Sequence, residues 1–118
     1  MKYFTIEELC RSDAATAMGI DNRPNPTQVE NLKRLIVAVL DPARDALGRP
    51  IHVNSGLRVP RLNSIVGGAP RSYHLQGRAA DLTVGNSRLN RPLYQILQQL
   101  THTELLWEGG GRWIRVAL

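Results

Sequence analysis

Between residues 29 and 40 the apolar side chains Val29, Leu32, Leu35, Ile36, Val39 and Leu40 recur at steps of three and four, the signature of a helix with one face on a core. The spacing predicts a helix over residues 27–47. Thr27-Gln28-Val29-Glu30 has the form of a capping box at its start, and Gly48 stops it. Pro42 should kink this helix or split off a short last one. Thr5-Ile6-Glu7-Glu8 repeats the capping-box form and predicts an earlier helix start, and the Pro, Asn and Asp of residues 19–26 predict a loop between the two.

After Pro50 the pattern changes. Residues 51–55 alternate like a strand, Gly56 turns the chain, and residues 60–66 read as a short helix closed by Gly67-Gly68. Residues 78–84 form a second strand candidate. Asn90-Arg91-Pro92 reads as a helix start, with Leu93, Ile96, Leu97 and Leu100 on one face. Strands over 104–108 and 112–118 flank Gly109-Gly110-Gly111 as a hairpin, where Trp107 and Trp113 would pair across the strands. The predicted architecture is α+β, helices packed on a small, mainly antiparallel sheet.

A chain of 118 residues, 42% hydrophobic and 21% charged, makes one ordinary globular domain spanning 1–118. One cysteine, Cys10, excludes an intramolecular disulfide and a cysteine-cage zinc site; it reads as a small buried hydrophobe, and any metal must be held by His and carboxylates. No apolar run is long enough to span a membrane, and none near Met1 has a signal-peptide core. Synthesis in the cytoplasm is therefore expected.

The net charge of +5 arises entirely after residue 50, where eight arginines face only Asp81, Glu104 and Glu108. Arginine forks favour a carboxylate or phosphate ligand, although a solvated basic face explains the same excess. With six aromatic rings and no basic block interleaved with them, nucleic acid is the weakest of the candidate partners.

Chemistry concentrates in Ser72-Tyr73-His74-Leu75-Gln76-Gly77-Arg78-Ala79-Ala80-Asp81. A His and an Asp seven apart, with Gly between them and small residues before the Asp, let the chain turn once and bring both side chains to one point. Such a pair suits zinc; without further support a His and an Asp are more often two surface residues.

The segment resembles the signature Ser-x-His-x-x-Gly-x-Ala-x-Asp of the zinc D-alanyl-D-alanine carboxypeptidases and L-alanyl-D-glutamate endopeptidases, which share a fold with the Hedgehog signalling domain. Ser72, His74, Gly77, Ala79 and Asp81 fill every fixed position. Val53-Asn54-Ser55-Gly56-Leu57-Arg58 is similar to the family's Ser-Gly-x-Arg segment, and residues 3–9 and 63–68 resemble short phage-type members. The resemblance implies a metallopeptidase-like domain acting on peptidoglycan stem peptides, its oligomeric state left open with a monomer favoured; the lack of a signal segment fits a product that reaches the wall by phage-type release. His74 and Asp81 would be zinc ligands and Glu108 the base. Arg58 would clamp substrate or stabilise charge on its carbonyl, and Ser72 and Tyr73 would line the site.

One departure matters. The family's closing strand carries Trp-x-His, whose His is the third ligand, and this chain has Trp113-Ile114-Arg115. A guanidinium has no lone pair to give and repels Zn²⁺, so the resemblance implies weak or partial zinc occupancy. The alternative is a metal-free pseudoenzyme in which Asp81 and Arg115 pair as ions and Arg115 contributes to binding a cell-wall peptide, another carboxylate-bearing ligand or a protein partner. His52 and His102 are the other histidines, read as solvent-facing or packed in satisfied hydrogen bonds.

Overall fold

A computed structural model describes residues 1–118. Helix α1 (Ile6–Cys10) starts as expected: Thr5 accepts the Glu8 amide in its Oγ1 at 3.1 Å. A short helix that the pattern did not predict, α2 (Asp13–Ala17), follows, capped by Ser12. Five residues are too few to display a period, so only the Ser-Asp start signals it.

The long helix is capped two residues before the predicted position. In α3 (Pro26–Leu35) the cap is Asn25, not Thr27: Asn25 accepts the Gln28 amide at 2.8 Å, and the Gln28 side chain accepts the Asn25 amide at 2.8 Å. Pro26 takes the first helical position, where its missing N–H costs nothing. A π-helical turn (Ile36–Leu40) then leads into α4 (Asp41–Leu47), which ends on Gly48 with φ +74°. The widened turn lets the Pro42 ring clear the preceding carbonyls, so the proline divides the helix without a break. Asp41 accepts the backbone amides of Lys2, Tyr3 and Phe4, which lays the N-terminal segment on α4 and sinks Phe4 into the core.

Strands β1 (His52–Ser55), β2 (Ala79–Thr83), β3 (Glu104–Glu108) and β4 (Trp113–Ala117) form one antiparallel sheet in the order β1-β2-β4-β3. The fold is therefore α+β, as the pattern predicts, and α5 (Pro60–Ile65) forms between β1 and β2 where the short helix is expected. One sheet face, with Ala80, Leu82, Ile114 and Val116, packs against Leu32, Leu35, Ile36 and Val39 and against Leu93 and Leu97 of α6 (Ser87–Gln98). Each such aliphatic side chain, taken fully from water, contributes roughly 1.5–3 kcal/mol. No helix is long and apolar enough to cross a membrane.

Two further expectations are corrected. Helix α6 starts at Ser87 under an Asn86 cap, so Pro92 lies inside it rather than in its first turn. Asn90, which imitates a cap in the sequence, is fully buried and ties elements together: it accepts the Val84 amide at 2.7 Å and donates to the Gly111 and Arg112 carbonyls at 2.9 and 3.1 Å. Trp107 and Trp113 do not pair. Trp107 is opposite Ile114 and Trp113 opposite Glu108, which puts the two indoles on opposite faces, and Trp107 instead meets Tyr94 edge-on at 5.4 Å.

Candidate functional site

The sheet face away from the helical core carries the polar cluster. Because cross-strand partners share a face, the register sets Ser55, Asp81, Arg115 and Leu106 in one row from β1 to β3. A bulge between Val53 and Ser55 brings Ser55 into that row. His74 arrives from a 3₁₀ turn (Tyr73–Gln76) that Gly77 ends at φ +70°. A Cβ at Gly77 would also crowd the Gln28 backbone of α3, so glycine is required there twice over. This is the single reversal that the His-to-Asp spacing implies.

Asp81 is the centre. Its Oδ1 accepts from Arg115 Nε at 2.9 Å and faces His74 Nε2 at 3.2 Å; its Oδ2 accepts from Arg58 Nη2 at 3.2 Å and Arg115 Nη2 at 3.4 Å. Burial pushes the Asp81 carboxyl up, but the His74 and Arg115 contacts outweigh it and hold the group below the ordinary carboxylate value. The same contact raises Arg115 above its ordinary value, with Glu108, 3.8 Å from Nη1, adding to the effect.

His74 is fully buried, and its Nδ1 donates to the Gly56 carbonyl at 2.6 Å, which orients the ring. Arg58 is 8% exposed, with Nε donating to Ser55 Oγ at 2.9 Å and Nη1 to Asn63 Oδ1 at 3.4 Å. Burial lowers it from its ordinary value, Asp81 opposing and Arg115 reinforcing the change, yet a guanidinium stays charged in any such setting. Its donors are directed inward, so it holds Asp81 in place.

The remaining expected residues lie around this cluster. Ser72 Oγ accepts the His74 amide at 3.2 Å and so shapes the turn. The Tyr73 ring lies under Arg78, 4.6 Å from its guanidinium carbon. Glu108 faces Arg115, not Asp81. His52 is exposed on edge strand β1, and His102 Nδ1 is 2.8 Å from the Leu100 carbonyl; neither joins the cluster. Cys10 is half-buried rather than buried, its thiol pushed up to about 11 by desolvation. Sequence reasoning did not assign Ser55 and Asn63 to the site, where they hold Arg58; the Ser-Gly-x-Arg segment contains the first, and the second opens the 63–68 stretch noted only as a resemblance.

With this geometry the kinship can be judged. The peptidase M15 family model matches residues 2–117, almost the whole chain. The chain belongs to the peptidase M15 family. A zinc D-Ala-D-Ala carboxypeptidase of Streptomyces albus G is 42% identical over 71 residues, which are 59% of this chain and 28% of that protein, so the match spans little more than a quarter of the relative's length. Family and fold make this an M15-type peptidase domain.

Its own donor set does not fit the metal. No three His, Cys, Asp or Glu side chains converge anywhere in this M15 chain. At the cluster, both Asp81 oxygens are engaged by guanidinium groups and the third position holds a cation in place of a lone pair.

Proposed function

We propose that this M15 domain binds the carboxylate-bearing peptides of the cell wall without a zinc-dependent step. The observation that carries the reading is the Arg115–Asp81 ion pair, which places a fixed positive charge where the family resemblance puts a zinc ligand.

Arg115 has its Nε and one Nη turned to Asp81, while Nη1 lies on the Glu108 side of a side chain that is 25% exposed. A ligand carboxylate approaching from solvent competes with Glu108 for that edge and gains a charge-assisted hydrogen bond. Leu106, beside Arg115 in the row and 38% exposed, offers apolar contact to a small side chain next to that carboxylate. A D-alanine terminus has both groups. Release from phage-infected cells would bring such a domain to its ligand.

Calorimetry with a stem pentapeptide ending in D-Ala-D-Ala, and with its C-terminal amide, tests this. The free carboxylate should bind about 10- to 100-fold more tightly, the factor for a charge-assisted hydrogen bond of about 1.5–3 kcal/mol. Equal binding of the two peptides, or binding of neither, overturns the reading.

Zinc-dependent hydrolysis is the second reading, favoured by one distance. The 3.2 Å between His74 Nε2 and Asp81 Oδ1 is close to the edge of about 3.3 Å between two ligands of tetrahedral zinc. Under our reading zinc is substoichiometric after dialysis; a tightly held equivalent together with D-alanine release would decide for hydrolysis.

A further inference from the structure

The Asp81 cluster does not use every charge on its sheet face. On β3, Glu104, Leu106 and Glu108 alternate onto the face that carries Asp81 and Arg115, and Leu106 is directly opposite Arg115. The two glutamates are therefore diagonal neighbours of Arg115, one on each side, at the separation of about 7–8 Å that long side chains bridge. Asp81 is the main cause of the raised Arg115 value, and Glu108 and Glu104 both add to it, so both lie within electrostatic reach of the guanidinium.

The two glutamates are not equivalent. Glu108 is 3.8 Å from Arg115 Nη1, whereas Glu104 belongs to no ion pair. The residues across the strands from Glu104, Ala117 and then Ala79, have no side-chain donor. Nearby cations are turned elsewhere: Arg78 donates Nε to the Leu118 carbonyl at 2.7 Å and Nη1 to Gln76 at 3.1 Å, and Arg112 lies over Trp113, which is opposite Glu108 at the far end of β3. On this face three carboxylates, Asp81, Glu104 and Glu108, meet the two guanidiniums of Arg58 and Arg115. The negative charge left over is on Glu104, which is half-buried. A ligand with only a carboxylate adds a second uncompensated charge; a ligand that also carries a cation cancels it.

We propose that Glu104 selects peptides with an ammonium side chain two residues before the terminal carboxylate, pairing with that ammonium while Arg115 takes the carboxylate. This rests on the wall-peptide reading above and narrows it to peptides that contain a diamino acid. The spacing follows from the strand. Glu104 and Glu108 are the two ends of the five-residue β3, about 13 Å apart. From a carboxylate at the Arg115 edge beside Glu108, two residues of extended chain cover about 7 Å towards Glu104, and the four-carbon stem of a lysine-like side chain spans the rest. Leu106 lies midway, where the small residues of such a peptide pass. Charges on an edge strand such as β3 also keep copies of a chain apart, but that role carries no preference between peptides.

The test is calorimetry on the full chain with N-acetyl-L-Lys-D-Ala-D-Ala and with the same peptide acetylated on the lysine side chain. The parent should bind the free ammonium about fivefold more tightly, the upper range for a partly exposed ion pair, and should lose most of that margin at about 1 M salt. Glu104→Gln should bring the two peptides to equal affinity, and Glu104→Asp should keep part of the margin. Equal affinities in the parent, or a margin that persists in Glu104→Gln, overturn the proposal. The C-terminal amide of the lysine peptide separates the two readings. If the free acid binds more tightly than the amide while the parent ignores the ammonium, the wall-peptide reading stands and the Glu104 assignment falls; if acid and amide bind alike, both fall.

Discussion

Replacing Arg115 by His removes a cation and supplies a nitrogen donor at a position directly across the strands from Asp81. Opposed residues on one face have Cβ atoms about 4.5–5.5 Å apart, a span a histidine ring crosses to reach a zinc held about 2 Å from each donor. Without metal the variant should be less stable than the parent by about 1.5–3 kcal/mol, the cost of one charge-assisted hydrogen bond, because Arg58 and His74 still contact Asp81. With free zinc at about 1,000 times its dissociation constant the gain is about 4 kcal/mol, so the loaded variant should exceed the parent by about 1–2.5 kcal/mol. In melting temperature that is a crossing from several degrees below the parent to a few degrees above it, at about 3–5 °C per kcal/mol for a chain of this length. Elemental analysis should find one zinc per chain in the variant. If the variant takes up no more zinc than the parent and its melting point ignores the metal, then position 115 does not face the metal position, and the pseudoenzyme argument falls with it.

Arg58→Ala strips Asp81 of a buried partner and leaves Asn63 Oδ1 and Ser55 Oγ without their donor; urea unfolding should show a loss on the order of 3 kcal/mol, and a loss below about 1 would mean that Arg58 does not hold the cluster. Asn90→Ala should cost about 2–4 kcal/mol by orphaning the Val84 amide and two turn carbonyls, and should alter Trp107 fluorescence, because the turn that Asn90 secures packs on that ring. Asp81 titrates lower in the folded than in the unfolded chain, so its contribution is complete above the unfolded value of about 4 and fades as the pH falls through the folded one. Asp81→Asn should therefore flatten stability against pH in the acid range, and an unchanged acid limb would assign it to other carboxylates.

The sequence exposed what depends on local spacing. The steps of three and four from Val29, the glycine stops and the hairpin glycines all reappear as elements, because each is decided within a few residues. The His74–Gly77–Asp81 reversal was legible for the same reason. What escaped depends on partners distant in the chain. Asn90 looks like a cap until its carbonyl partners 21 and 22 residues away are seen. The faces of the two tryptophans turn on a register that a one-residue change in the turn would invert. Arg58 resembled a substrate clamp in sequence, whereas folding directs its donors to Ser55, Asn63 and Asp81.

The Arg115–Asp81 pair also bears on how the protein matures. A metal centre stays incomplete until an ion arrives from outside, and until then its carboxylate lacks a counter-charge. Here the counter-charge is part of the chain and reaches Asp81 when β4 docks on β2. On the metal-free reading proposed above, the domain completes its fold in a metal-starved or chelator-rich medium as readily as in a zinc-replete one.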